Sequence, residues 1–253
     1  MDAFASFSSI PLLLAGECAF MLIAAGHAAR ARKSATPWFA SGILCTVLVG
    51  WGIASLALEA RGFYDSPQFL ALWPGFVTPL IPIGLLSLCL LIAPVRRGLV
   101  AIADTTPAHW FVLVQTLRIA AIGTLYKTWT GAFPVHVELA VGLNDLAFGL
   151  SALAVYALAR AERLSSDALV IWHAVGVALI VIPGEIAIQM GLPGPIQHFS
   201  EAPTTEVMFD SPLVLAPSAV VPAFVLLNLF AIYAALRQRA ANGAAPPIAI
   251  TKL

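Results

Sequence analysis

Charge is what this sequence has least of. Of its 253 residues only 13 are Lys or Arg and 13 Asp or Glu, 10% in all, where a soluble domain carries about 25%. The two signs cancel to a net charge of zero, so there is no basic footprint and no nucleic-acid partner is expected. Cysteine is nearly as scarce. Cys18, Cys45 and Cys89 each stand alone in an apolar stretch, without the paired spacing of a metal site, which predicts free buried thiols. No G-x-S-x-G, H-E-x-x-H, G-x-G-x-x-G, P-loop or histidine box occurs, so no catalytic signature points to an enzyme. A basic leader is also missing. Asp2 is the only early charge, and Arg30, Arg32 and Lys33 follow the first apolar run rather than preceding it, so that run reads as a retained helix.

What remains is apolar. Hydrophobic residues make up 60% of the chain and the mean hydropathy is +0.92. Seven runs, bounded by charge and by Pro or Gly, cover approximately 9–29, 37–59, 70–94, 107–126, 136–159, 167–190 and 212–236. About 20 apolar residues cross the ~30 Å hydrocarbon layer as a helix, and in lipid the backbone must satisfy its own hydrogen bonds. The expected fold is all-α, an integral membrane bundle of seven transmembrane helices over 1–239, followed by a loosely ordered tail over 240–253. Arg30, Arg32 and Lys33, Arg96 and Arg97, Arg160 and Arg163, and Arg237 and Arg239 follow the first, third, fifth and seventh segments. Positive charge collects on the cytoplasmic side, which predicts an outside N-terminus, a cytoplasmic C-terminus and a bacterial-type inner (plasma) membrane.

Polar residues inside these runs need a reason, because a charge at the bilayer centre costs roughly 2.5–3.5 kcal/mol. At 1.5 Å per residue, Glu17 lies about 20 Å above Arg30, Asp145 about 22 Å above Arg160, and Arg118 about 13 Å below Lys127. Glu185 and Gln189 lie nearer the outer surface, and Gln115 is the deepest. In the fifth segment Glu138, Gly142, Asp145, Gly149 and Ala152 form one small-and-polar stripe, of the kind that faces a bundle interior. The expected site is an outward-opening polar cavity that takes a small molecule, an ion or a proton. Glu17, Gln115, Arg118, Asn144, Asp145, Glu185 and Gln189 line it, with Arg118 paired to Asp145 or Glu185. Three acids against one arginine leave a surplus that water, a proton or a ligand must meet. The competing account makes the same residues packing contacts.

Metal is a lesser candidate. His136 and Glu138 begin the fifth segment, while His198 and Glu201 lie in the long loop 191–211, and two imidazoles with two carboxylates suit a divalent ion. Haem wants two facing histidines within the membrane. Of His27, His109 and His173 only the last is well inside an apolar run, so no haem is expected. Prolines recur in the third segment (Pro74, Pro79, Pro82) and the seventh (Pro212, Pro217, Pro222), which predicts curvature.

The first three segments can be laid on the last three in the same direction. Glu17, Ala19, Phe20 and Arg32 match Asp145, Ala147, Phe148 and Arg160; Trp38, Ala40, Gly42 and Gly50 match Trp172, Ala174, Gly176 and Gly184; and Pro74, Val77 and Pro79 match Pro217, Val220 and Pro222. The resulting 3+1+3 parallel repeat resembles the topology of the sugar-transporting SWEET proteins and of the seven-helix rhodopsins. Ser211-Pro212-Leu213 through Pro217 and Pro222 to Asn228 is similar to the last helix of uncharacterised bacterial multi-pass membrane proteins. Neither resemblance implies an activity. Retinal is excluded, because Lys33, Lys127 and Lys252 all lie at or beyond segment ends and none can form a Schiff base within the bundle. Three functions stay open: a binder or carrier, a non-catalytic accessory subunit held to a membrane protein partner, and an enzyme using buried carboxylates, the last less expected.

Overall fold

The computed structural model describes residues 8–243, and among them every regular element is helical. In chain order they are α1 (Ile10–Arg32), α2 (Thr36–Glu59), a one-turn helix (Pro67–Leu70), α3 (Pro74–Cys89), α4 (Ala93–Thr105), α5 (Ala108–Trp129), α6 (Val135–Arg160), α7 (Ser166–Met190), a short 3₁₀ helix (Thr205–Phe209) and α8 (Ala216–Ala241). Six of them are long and apolar enough to cross a membrane, or seven when α3 and α4 count as one span bent by 99°. The apolar runs read from sequence therefore locate the spans to within a few residues. The final helix runs on to Gly243, past the start expected for the tail, and the rest of that tail lies outside the described residues.

Among α1 to α8, the helix the sequence reading did not expect is α4, where Arg96 and Arg97 stand in what looks like a connecting loop. The loop is a helix for two reasons. Pro94 in its first turn cannot donate to the preceding helix, so α3 stops and a new helix starts. Val95, Gly98 and Ile102, spaced three or four apart, are buried together with Ala103, while Arg96 and Arg97 stay exposed. That is an amphipathic helix. It lies across one end of the bundle, packed on α1, α2 and α8. Gly98 makes this possible, since a Cβ there would run into the backbone carbonyl of Thr36 in the first turn of α2.

Polar ties hold this basic end together. Asp104 accepts from Arg237 Nε at 2.8 Å and Nη2 at 3.2 Å and from Arg32 at 3.2 Å. Gln238 donates to the carbonyls of Ala103 and Thr106, and Arg239 pairs with Asp167. The opposite end is closed by aromatic rings, with Tyr64, Phe69 and Phe209 at centroid distances of 4.8–5.6 Å. The long connection between α7 and α8 supplies Phe209, Met208 and the fully buried Leu192 to that core. It is a packed cap rather than a loose strap.

Candidate functional site

Three of the long helices depart from α-geometry, and two of the departures lie at the polar cluster. In α5, residues Gln115–Ala121 form a 3₁₀ segment; Thr116 within it and Thr124 just beyond it donate their hydroxyls to carbonyls three residues back at 2.7 and 2.8 Å. Side chains three apart eclipse each other in a 3₁₀ turn, so Gln115 and Arg118 project from one side. Near its start α6 contains a π turn, Glu138–Gly142, just before Asp145. Such turns inside longer helices concentrate at functional sites.

Arg118 lies at the centre, 1% exposed. Its Nε and Nη2 donate to a single oxygen, Oδ1 of Asp145, at 3.1 and 2.7 Å. The guanidinium lies between two rings, 4.5 Å from the Phe148 centroid and 5.6 Å from that of Phe224, where cation–π attraction adds to the ion pair. α5 and α6 come this close because Gly149, one turn after Asp145, rests against the backbone at Arg118 and Ile119, where a Cβ would meet Ile119 N at 2.7 Å. Phe148 in turn stacks on Trp172 at 4.2 Å.

Glu17 enters from α1 and is fully buried. It is near enough to Arg118 to feel its charge, yet both of its carboxylate oxygens lack a hydrogen-bond partner among the described residues. Arg118 Nη1 and Gln115 Nε2 are likewise buried without partners. On the other flank Gln115 Oε1 accepts from Asn228 Nδ2 at 3.2 Å, and Asn228 Oδ1 meets His173 Nδ1 at 2.7 Å. A polar line thus crosses α7, α8, α5 and α6, with α1 beside it.

The sequence-predicted set divides here. Glu17, Gln115, Arg118 and Asp145 come together. Asn144 turns away and donates to the Ala140 carbonyl of its own helix at 2.7 Å. Gln189 is spent on packing: its Oε1 accepts from Gly75 N at 3.1 Å, satisfying one of the free amides at the start of α3. Glu185, one turn away and half-buried, takes no part in the Arg118 ion pair, and its Oε2 is buried without a partner. His173 and Asn228 belong to the network, although the sequence reading did not place them there. The available signal was an uncharged amide in the middle of an apolar run, which a search for charged residues passes over.

The metal candidates have other surroundings. His136 Nε2 meets Thr205 Oγ1 at 2.8 Å and its ring stacks on Phe199 at 4.2 Å, Glu138 folds back onto Gly142, and His198 and Glu201 are exposed. No three His, Cys, Asp or Glu among the described residues gather as metal ligands would. His27 lies against the Thr105 carbonyl and Trp110, His109 against Tyr156, so the three histidines nearer the basic end each have a separate partner. Outside the membrane-spanning segments, burial, followed by the charges of Asp65, Glu59 and Glu206, raises Asp210 above the usual carboxylate range.

A family model described as a domain of unknown function (DUF8737) matches residues 71–236. That stretch contains Gln115, Arg118, Asp145, His173, Glu185 and Asn228, and it begins after Glu17. No curated protein and no solved structure matches the chain.

Proposed function

We infer that this chain, which belongs to the family of the domain of unknown function DUF8737, binds or carries a small molecule or ion at the Arg118 cluster, within a bacterial-type inner membrane. The observation that carries this reading is Glu17. Arg118 is already neutralised by Asp145, so Glu17 is a second carboxylate on one cation, buried, with neither oxygen bonded. An isolated carboxylate in a low-dielectric interior is neutralised by a proton, a cation or a positively charged ligand group. The free donors beside it, Arg118 Nη1 and Gln115 Nε2, suit an acceptor on the same ligand. Pure packing explains Gln189 and Asn144, but it leaves these groups without a purpose.

The basic end formed by α1, α4, α6 and α8 supports an outside N-terminus and a cytoplasmic C-terminus through the positive-inside rule. The 3+1+3 repeat also belongs to this reading. It makes Glu17 and Asp145 equivalent positions, and Arg118 on the intervening helix bonds one while feeling the other.

The test uses purified protein in lipid nanodiscs and a thermal-shift panel of alkali and alkaline-earth cations, small amines and amino acids. A ligand at a hundred times its Kd stabilises by about 2.7 kcal/mol, a shift of several degrees at this size. At least one class is expected to raise Tm of the native chain and to leave Glu17→Gln unmoved. No response in any class returns the cluster to a packing role.

A further inference from the structure

A large cavity among the described residues lies apart from the Arg118 cluster. It measures about 460 Å³ between α1, α2, α3, α4, α5 and α8, within the ~300–1,000 Å³ of small-molecule sites, and none of the cluster's polar residues lines it. Its depth is closed by Ala24, Leu48 and Phe111, each at most 2% exposed. The Ser41 hydroxyl in its wall is occupied by the Met21 carbonyl at 3.1 Å. Its rim residues Leu90, Leu229 and Tyr233 are 40–47% exposed, so it opens sideways between the end of α3 and α8 into the lipid layer. Arg96 stands at that rim, its Nη1 fixed on the carbonyls of Leu90 and Leu91 at 2.6 and 3.1 Å, while Nη2 and Nε make no hydrogen bond to the described residues.

We propose that this cavity holds one acyl chain of an anionic phospholipid, with the phosphate on Arg96. The interior offers only dispersion contacts, which an alkyl chain makes along its whole length and which an empty void forfeits. The charge at the opening selects the headgroup: Arg96, Arg97 and Arg30 are exposed at this end, and a basic residue at a membrane surface attracts an anionic lipid with ~1 kcal/mol each. The opening faces the bilayer, so a membrane phospholipid reaches it without leaving its leaflet.

Native mass spectrometry of the full chain in mild detergent, titrated with phosphatidylglycerol, phosphatidylcholine or oleate, tests this. One phosphatidylglycerol per chain is expected, held about five-fold more tightly than phosphatidylcholine. Arg96→Gln should lose that preference and Arg96→Lys keep it. Ala223→Phe, which fills the cavity from α8, should lose the retained lipid while running monodisperse, and Leu226→Phe replaces it if it does not fold. Equal retention of the two lipids, a preference that survives Arg96→Gln, lipid retained by the filled variant, or oleate preferred to phosphatidylglycerol would each overturn the proposal.

Discussion

A guanidinium keeps its charge in any protein interior, so Arg118 can be buried only if something answers it, and Asp145 does so through two hydrogen bonds to one oxygen. Removing either partner strands the other. Arg118→Gln or Asp145→Asn should destabilise the fold by about 3–5 kcal/mol, read as lost resistance to denaturing detergent or as a fall in Tm. Glu17→Gln should behave oppositely, since it removes an unbonded buried carboxylate: stability is kept or gained and ligand response is lost. At the loop end, Asp210 is held above its ordinary range by burial and by Asp65, Glu59 and Glu206. An acid whose folded pKa is raised favours the folded state below its unfolded pKa, near 4, and that contribution is lost as pH rises through the folded value. Asp210→Asn should therefore raise Tm at neutral pH by about a degree and flatten the loss of stability above pH ~4, measured by melts across pH. The ion pair was legible in the sequence because charge in a membrane is costly enough to need a partner. The choice of Asp145 over Glu185 was not, because it depends on which helix approaches α5 most closely, and Gly149 sets that.

Elements are positioned by small residues at crossings more than by any single polar bond. Gly149 lets α6 touch the backbone of α5, and Gly98 lets α4 touch that of α2. Gly149→Leu should separate α5 from α6 and break the Arg118 pair, so its detergent resistance should fall at least as far as that of Arg118→Gln. Gly98→Val should undock α4 while leaving the spans in place. Protease cleavage near Arg96 and Arg97 would then accelerate in the variant, with α5 to α8 still protected. Apolar runs locate the spans in the sequence because lipid leaves helices as the only choice. The break between α3 and α4 escaped that reading, since Pro94 sits in a continuous apolar run and a bent span has the same composition as a straight one. The 3₁₀ turn at Gln115 and the π turn at Glu138 are similarly invisible to periodicity. They arise from threonine back-bonding and from helix contacts that only the folded bundle supplies.

The whole molecule has two unlike ends and two unlike interiors. One end is basic and tied by Asp104, the other aromatic and capped by the α7–α8 connection. One interior is the polar cluster, the other an apolar cavity with its rim between α3 and α8. Reporter fusions after Arg97 and after the C-terminus should both read cytoplasmic, and a fusion within 191–211 should read outside. A reversed reading at any of the three would invert the orientation and move the lipid cavity to the other leaflet. The central claim, that the Arg118 cluster holds something other than protein, is tested most directly by a high-resolution density map of the chain in lipid nanodiscs. The account predicts non-protein density within hydrogen-bond distance of the Glu17 carboxylate and Arg118 Nη1, lost in Glu17→Gln. A map in which Glu17 bonds Arg118 directly, with no density between them, would contradict it.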